Sequence, residues 1–476
     1  MSSVSGRSVE SEFGASTEVN PERMLAGFPW VSAIVLYTLS WGWSLLRPNT
    51  LYWDDWHDLF QTDNWFARDY YLSTGRPPWE GVAHAFLTPI GIWTFCILTF
   101  VLFFISGVFL FLILRKVDFF LISRIKLITL IFLIVPVNHA RISSVIFQYT
   151  SSYFLFYLGW YVLVRYKSMK SFVLACVVMF LSFKTHSFLV FVMLPFLHFA
   201  WLNRSRLINL KNLSTAHLQI SVIAALPVIY VVSRSLFWPP SESWQDYQQP
   251  TVAGVLTGLW PVLIGLVGLS IIGMRRFKKK QTPLGLVLIV VGFAITALAL
   301  FPYFAGTLYK DYVSVVAFRA DWGSRHQLLM PLGLALSVVG FNELLKWKGK
   351  NIVVSTVLVI SVALNMFWGS QYFLMSHKQE QLVELFKTTE GKVEIASVED
   401  QTKRFNGRES TFRSYEWNGF MMLAGISTDR RDCEVLPSGS ALILKSDTPY
   451  LKALFTRDLG LYFDITPCSE VLAKDG

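Results

Sequence analysis

The residues able to do chemistry gather in one short stretch. Tyr52-Trp53-Asp54-Asp55-Trp56-His57-Asp58 follows the first long apolar run, and Gly75-Arg76-Pro77-Pro78 comes soon after it. Five acids (Asp54, Asp55, Asp58, Asp63 and Asp69) stand there among aromatic residues. Carboxylates of this kind can take up a proton or hold a cation. Acids are costly to keep beside a bilayer, so a stretch that retains five of them has work to do. Other loops offer complementary groups: His139 and Arg141, then Lys184 and His186, then Lys310, Asp311, Arg319, Asp321, Arg325 and His326. Each also has a bland reading. Asp54 can cap an interfacial helix over Asp55–Ser73, which Gly75 and Pro77-Pro78 would end. The aromatics can be a membrane-interface belt, the arginines can snorkel to lipid phosphate, and a lone histidine can sit neutral in a hydrogen bond.

The elements that must position these groups are apolar. Of 476 residues, 53% are apolar and 16% charged, with 39 Phe and 17 Trp. Soluble domains carry about 25% charged residues. Runs at 28–46, 86–114, 120–137, 149–165, 171–183, 187–201, 217–238, 253–273, 283–303, 328–345 and 351–369 predict about eleven transmembrane helices. The segment 171–201 is split because a single 31-residue helix would run about 46 Å against a core of about 30 Å. It would also bury Lys184 near the bilayer centre.

Charge parity agrees. With the N-terminus inside, the inner segments hold 20 Lys/Arg and the five outer loops hold 8, as expected for a polytopic protein. Arg275-Arg276-Phe277-Lys278-Lys279-Lys280 is the strongest inner anchor. The acids, from Asp54 to Asp321, then fall on the outer side, together with the histidines and arginines named above. Few ionisable residues lie within the apolar runs, a pattern that suits an interfacial enzyme better than a permeation path. The net charge of +10 reads as orientation and contact with anionic lipid. No basic stripe interleaved with stacking residues points to nucleic acid.

Residues 1–26 read as a disordered cytoplasmic extension, 27–369 as the transmembrane domain with its catalytic outer loop at 47–85, and 370–476 as a small extracytoplasmic α/β domain. That tail holds 13 Lys/Arg and 16 Asp/Glu. Its candidate strands are 393–398 and 441–445, with a candidate helix at 380–386. Of four cysteines, Cys96 and Cys176 lie in apolar runs and read as packing residues. Cys433 and Cys468 lie in the tail, where they can pair if it is outside the cytoplasm. No spacing suggests structural zinc.

A long first outer loop with Trp53-Asp54-Asp55-Trp56, an interfacial helix, Gly75-Arg76-Pro77, and a late loop Arg319-Ala-Asp-Trp-Gly-Ser-Arg325-His326 together resemble membrane glycosyltransferases of the GT-C class. The likeness is to bacterial enzymes that use polyprenyl-phosphate sugars to modify O-antigen or lipid A in lipopolysaccharide, the serotype-converting glucosyltransferases included. It covers the topology over about 330 residues, and nothing in the tail. It implies a bacterial inner-membrane protein, a polyprenyl-phosphate sugar as donor, hexosyl or pentosyl, and a glycan or lipid acceptor on the extracytoplasmic side. Arg76, Arg141, Arg319, Arg325 and His326 would hold the donor phosphate. Because phosphate is a good leaving group, one carboxylate acting as base suffices for an inverting displacement.

Adjacent side chains diverge, so one of Asp54 and Asp55 is the expected base, Asp54 by preference, and the other positions a metal or a backbone group. A divalent cation, Mg or Mn, held by Asp55 with His139 or His186 fits mixed oxygen and nitrogen ligation. Competing readings are a lipid-linked glycan flippase, which needs a polar path at the midplane, and an O-antigen ligase or polymerase, whose arginines sit in a larger late loop.

Overall fold

The computed structural model describes residues 25–56, 66–117, 120–207, 214–241, 252, 284–305, 320–345, 351–389, 395–407, 412–426 and 440–468. It is mostly helical. Ten of the eleven expected apolar segments are helices; the eighth, 253–273, lies outside the described residues. In chain order the elements that matter are α1 (Trp30–Trp41), α2 (Phe66–Ser73), α3 (Trp79–Leu87), α4 (Trp93–Leu114), α5 (Ile122–Ile134) and α6 (Phe147–Arg165). There follow α7 (Met169–Ser182), α8 (Ser187–Phe191), α9 (Met193–Leu202), α10 (Thr215–Phe237), α11 (Leu284–Ala305), α12 (Met330–Leu344) and α13 (Ile352–Thr389). The tail adds β1 (Ile395–Asp400), α14 (Ser414–Leu423), β2 (Ser440–Ser446), α15 (Tyr450–Thr456) and β3 (Leu461–Pro467).

Among the described residues, four helices are long and apolar enough to cross a membrane: α4, α10, the Leu284–Phe301 part of α11, and α13. α1 with its 3-10 extension to Leu46, α7, α8 with α9, and α12 are apolar but shorter. The 14 residues of α7 reach only about 21 Å at 1.5 Å per residue. On α10 only 17% of the most apolar window is buried within the protein. Val228, Val231, Val232, Leu236 and Phe237 stand exposed there, a patch that suits lipid and not water.

Two sequence boundaries move. The run 86–114 is broken: α3 ends at Leu87, and Gly91, at φ +132°, turns the chain into α4. The expected boundary at 369/370 falls inside α13, whose 38 residues span about 57 Å, nearly twice a hydrocarbon core. Its apolar first half continues unbroken into the polar Ser376-His377-Lys378-Gln379-Glu380: no Pro interrupts it, and its one glycine there, Gly369, a cost of about 1 kcal/mol in a helix, is packed where a Cβ would stand 2.5 Å from Trp43 Cδ1. The tail is therefore built on the last long helix and not joined by a linker.

The 171–201 segment is two helical stretches with a turn, as the length argument requires. Lys184 Nζ donates to Ser151 Oγ at 2.7 Å, and Thr185 Oγ1 donates to Ser152 Oγ at 2.9 Å. The turn thus meets the start of α6, next to the 139–146 loop. The core beneath is aromatic: Phe103, Phe132, Tyr153, Tyr157, Phe156 and Phe188 stack in one continuous set.

The tail sheet has order β1-β2-β3, with β1–β2 parallel and β2–β3 antiparallel. One fully buried cation pins it to α13. Lys378 Nζ donates to Asp400 Oδ2 at 2.8 Å and to Asn406 Oδ1, and Asn406 in turn donates to Asp400 at 2.7 Å. Thr402 supplies a backbone and a hydroxyl donor to the other Asp400 oxygen. Replacing one partner strands the other, so Lys378→Met is expected to cost about 3–5 kcal/mol. Thermal unfolding in detergent, with proteolysis of the tail as readout, checks it; a variant as resistant as wild type would refute the clamp.

Candidate functional site

The two aspartates face opposite ways. Asp55 is buried, 1% exposed, and every oxygen is engaged. Oδ1 accepts from Ser143 Oγ at 2.6 Å, Ser144 Oγ at 2.9 Å and the Val145 amide at 3.0 Å. Oδ2 accepts from the Tyr52 amide at 3.0 Å. Burial is the larger influence and raises its pKa, and these donors oppose it. Asp55 is thus a clasp between the 52–56 turn and the 139–146 loop, of the kind expected for an aspartate that positions backbone.

Asp54 points out. Its Oδ1 accepts from Tyr415 Oη at 2.8 Å and from Arg413 Nη1 at 3.3 Å. Among the described residues no donor reaches Oδ2. Its side chain caps no helix among the described residues and turns to the tail instead. Between the tyrosine and the aspartates, Trp53 takes φ +51°, a conformation costly for a bulky residue. It is held there by complete burial against Tyr52 and Tyr372. The turn is further tied to α13 by Gln379, whose Nε2 donates to Leu51 O at 2.7 Å.

The helix α2 ends as the sequence predicts. Gly75, at φ +73°, closes it with Gly75 N donating to Leu72 O and Arg76 N to Tyr71 O, a Schellman cap. A Cβ at Gly75 would stand 2.7 Å from Arg234 Nη2, so the glycine also makes room for that guanidinium. Arg234 Nε donates to Gly75 O at 2.7 Å. Arg76 lies over the rings of Tyr71 and Tyr149, 5.5 and 5.9 Å from their centroids. His186 feels both arginines. Burial first, then the charges of Arg234 and Arg76, pull its imidazole down to about 3. Arg76 and Arg234 therefore form one cationic patch with a neutral His186 beside it, and Arg234 was not singled out from the sequence because it reads as a span end.

Arg141 is elsewhere. It is 4% exposed and sandwiched between Trp41 and Phe103, at 3.4 and 4.0 Å from their centroids, a desolvated cation–π arrangement. Among the described residues its Nη2 has no hydrogen-bond partner, and it helps line a crevice with Ser44, Cys96 and Thr99. Burial lowers its pKa to about 10, which leaves it charged at neutral pH. In the late loop, Ser324 Oγ accepts from the Ala140 amide at 2.8 Å and Gln327 Oε1 from the Asn138 amide at 3.0 Å. This brings Arg325 and His326 to the 139–146 loop. Burial and then Arg325 hold His326 at about 3, so it can act as a neutral N–H donor and not as a cation. Arg319 lies outside the described residues, as do Asp58 and Asp63.

Comparison with family models, curated proteins and solved structures finds no match. The site stands on its own geometry. Asp55, His139 and His186 do not form a common ligand cluster among the described residues. Asp55 is spent on its four donors, His139 Nε2 meets Asn365 Oδ1 at 3.1 Å, and His186 sits with the arginines.

Histidines held low by burial, His84 and His186 as well as His326, give a pH signature. His84, stacked on Phe95 at 4.8 Å, is lowered to about 4 by burial and then by Lys184, and His186 to about 3. Unfolded histidine titrates near 6.5. On acidification the unfolded chain binds these protons first. The stability they contribute is whole above pH about 6.5 and is lost as pH falls toward the folded values. Melting temperature should thus fall between pH 7 and 4.5, with a shallower slope in His84→Phe. An unchanged slope in that variant would remove His84 from the account.

Proposed function

We propose that the protein is a multi-pass membrane glycosyltransferase that moves a sugar from a polyprenyl-phosphate donor to a glycan or lipid acceptor. The observation that carries the reading is the division of labour at Asp54 and Asp55. Asp55 is consumed by four donors, whereas Asp54 is held through one oxygen and offers the other. Asp54 Oδ2 takes the acceptor hydroxyl proton as the acceptor oxygen bonds to the sugar C1. The C1–O bond breaks on the opposite side, and its electron pair leaves with polyprenyl phosphate, inverting the anomeric centre. Arg76 with Arg234, and separately Arg141 and Arg325, are the candidates to hold the phosphate. No step needs a divalent cation, and a Mg or Mn ion would draw on ligands other than the enclosed Asp55.

The Asp54 end of the bundle is assigned to the extracytoplasmic side. The 20-to-8 distribution of Lys/Arg supports this. So does the tail, where Cys468 is disulfide-bonded while Cys96 and Cys176 are free, as suits an oxidising compartment. The bacterial plasma membrane and its envelope polysaccharide are the proposed setting.

The test is transfer of label from radioactive polyprenyl-phosphate glucose, mannose and arabinose into envelope glycan by membranes carrying wild-type or Asp54→Asn protein. Transfer by wild type alone is expected. No transfer from any donor, or equal transfer by the variant, would overturn the reading.

A further inference from the structure

We infer that Tyr415 and Arg413 of the tail are positioning residues for Asp54, so that the transfer site is completed by the C-terminal domain. The inference rests on the reading of Asp54 as the base.

The geometry is a relay of donors. Arg413 Nη1 donates to Tyr415 Oη at 2.8 Å, and Tyr415 Oη donates to Asp54 Oδ1 at 2.8 Å. Arg413 Nη1 also reaches the same Oδ1 at 3.3 Å. Both donors fall on one oxygen. This fixes the carboxylate plane and leaves Oδ2 without a donor among the described residues, the arrangement in which a third group orients a catalytic base.

The donors are themselves held. They stand at the first turn of α14, where the Arg413 amide donates to Glu416 Oε2 at 2.7 Å. Behind them Trp56 packs edge-on against Phe420, centroids 4.6 Å apart. The residue next but one to Asp54 is thus seated in the same helix that carries Tyr415. The Lys378–Asp400 clamp ties the tail to α13.

Stability does not explain the contact. The Arg413 and Asp54 side chains are 43% and 41% exposed, and ion pairs so open to water contribute little to folding. Three side chains nonetheless share one geometry across more than 350 residues of sequence.

The experiment uses the full-length protein in membranes, with whichever of the three labelled donors supports wild-type transfer. Tyr415→Phe and Arg413→Gln should each lower kcat about tenfold with donor KM unchanged, because a loosened base costs rate and not binding. Arg413→Lys should recover part of the loss. Melting temperatures should stay within error of wild type. The double variant Asp54→Asn/Tyr415→Phe should be no slower than Asp54→Asn alone, since the tyrosine acts only through the aspartate. If Asp54→Asn is inactive while Tyr415→Phe and Arg413→Gln keep wild-type kcat, the positioning role is refuted and the base assignment stands. A slower double variant likewise refutes it. If Asp54→Asn itself transfers normally, both assignments fall.

Discussion

Asp54→Asn is expected to lower sugar transfer by about two to four orders of magnitude, the range a positioned general base supplies, and to leave the protein folded. The asparagine keeps the shape of the side chain, and its carbonyl oxygen can still accept from Tyr415 and Arg413. It cannot take a proton at the position of Oδ2. Asp55→Asn should behave in the opposite manner. There the carboxylate accepts four hydrogen bonds in a buried site, and an amide nitrogen on either side would meet a donor with a donor. The expected cost is on the order of 3 kcal/mol, with the 139–146 loop released from the 52–56 turn. The two substitutions are chemically identical and one residue apart, so comparing them separates chemistry from folding. Transfer is measured from the labelled donor per mole of folded protein, and folding by thermal melt and gel filtration in detergent. The base assignment is lost if Asp54→Asn is as active as wild type per folded molecule. It is also lost if Asp55→Asn folds normally and only that variant is inactive.

Much of this arrangement was legible in residue types. Periodicity and apolar length found ten helices, since a 1.5 Å rise and a fixed core thickness leave few alternatives. The Lys184-Thr185 turn was legible because a lysine at mid-bilayer is costly, and the structure gives it Ser151 and Ser152. Gly75 was legible as a helix stop from its freedom at positive φ. The pairing of Asp54 with Tyr415 and Arg413 was not, because it joins residues more than 350 positions apart and no local pattern encodes such a contact. The continuity of α13 was missed for a different reason. The change from apolar to polar composition near residue 370 marks a change of environment, and a helix with no Pro at that point, its Gly369 packed against Trp43, carries on through it. Ser143 and Ser144 carry no signal of their own. They become meaningful once Asp55 is seen between them.

Gly292→Leu is the substitution with the largest expected effect on the fold. α11 and α12 approach backbone to backbone through Gly285 and Gly292 on one helix and Gly333 and Gly340 on the other. A Cβ at Gly292 would stand 2.6 Å from the carbonyl oxygen of Gly333 and 2.6 Å from the amide nitrogen of Ser337. Both are backbone atoms and cannot swing aside as a side chain end would. The reciprocal Cβ at Gly333 would meet Gly292 O at 2.6 Å and Thr296 N at 2.7 Å. The glycines recur at seven-residue spacing on each helix, which keeps them on one face over two turns. Lipid chains are as apolar as leucine, so helices in a bilayer associate through such close packing and not through exclusion of water. A leucine would push the helices apart over the whole contact and forfeit its dispersion energy. The expected loss is at least 3 kcal/mol, above the usual range for overpacking because the clash is with main chain. The damage should also reach the site. α12 follows directly from the Trp322–Gln327 turn, whose Ser324 and Gln327 hold the 139–146 loop that clasps Asp55. Gly292→Ala, with a single methyl, should be milder but still destabilising. The check is the fraction of protein that survives detergent extraction as a monodisperse species, together with its melting temperature. A Gly292→Leu protein that extracts and melts like wild type would show that α11 and α12 do not meet at these glycines.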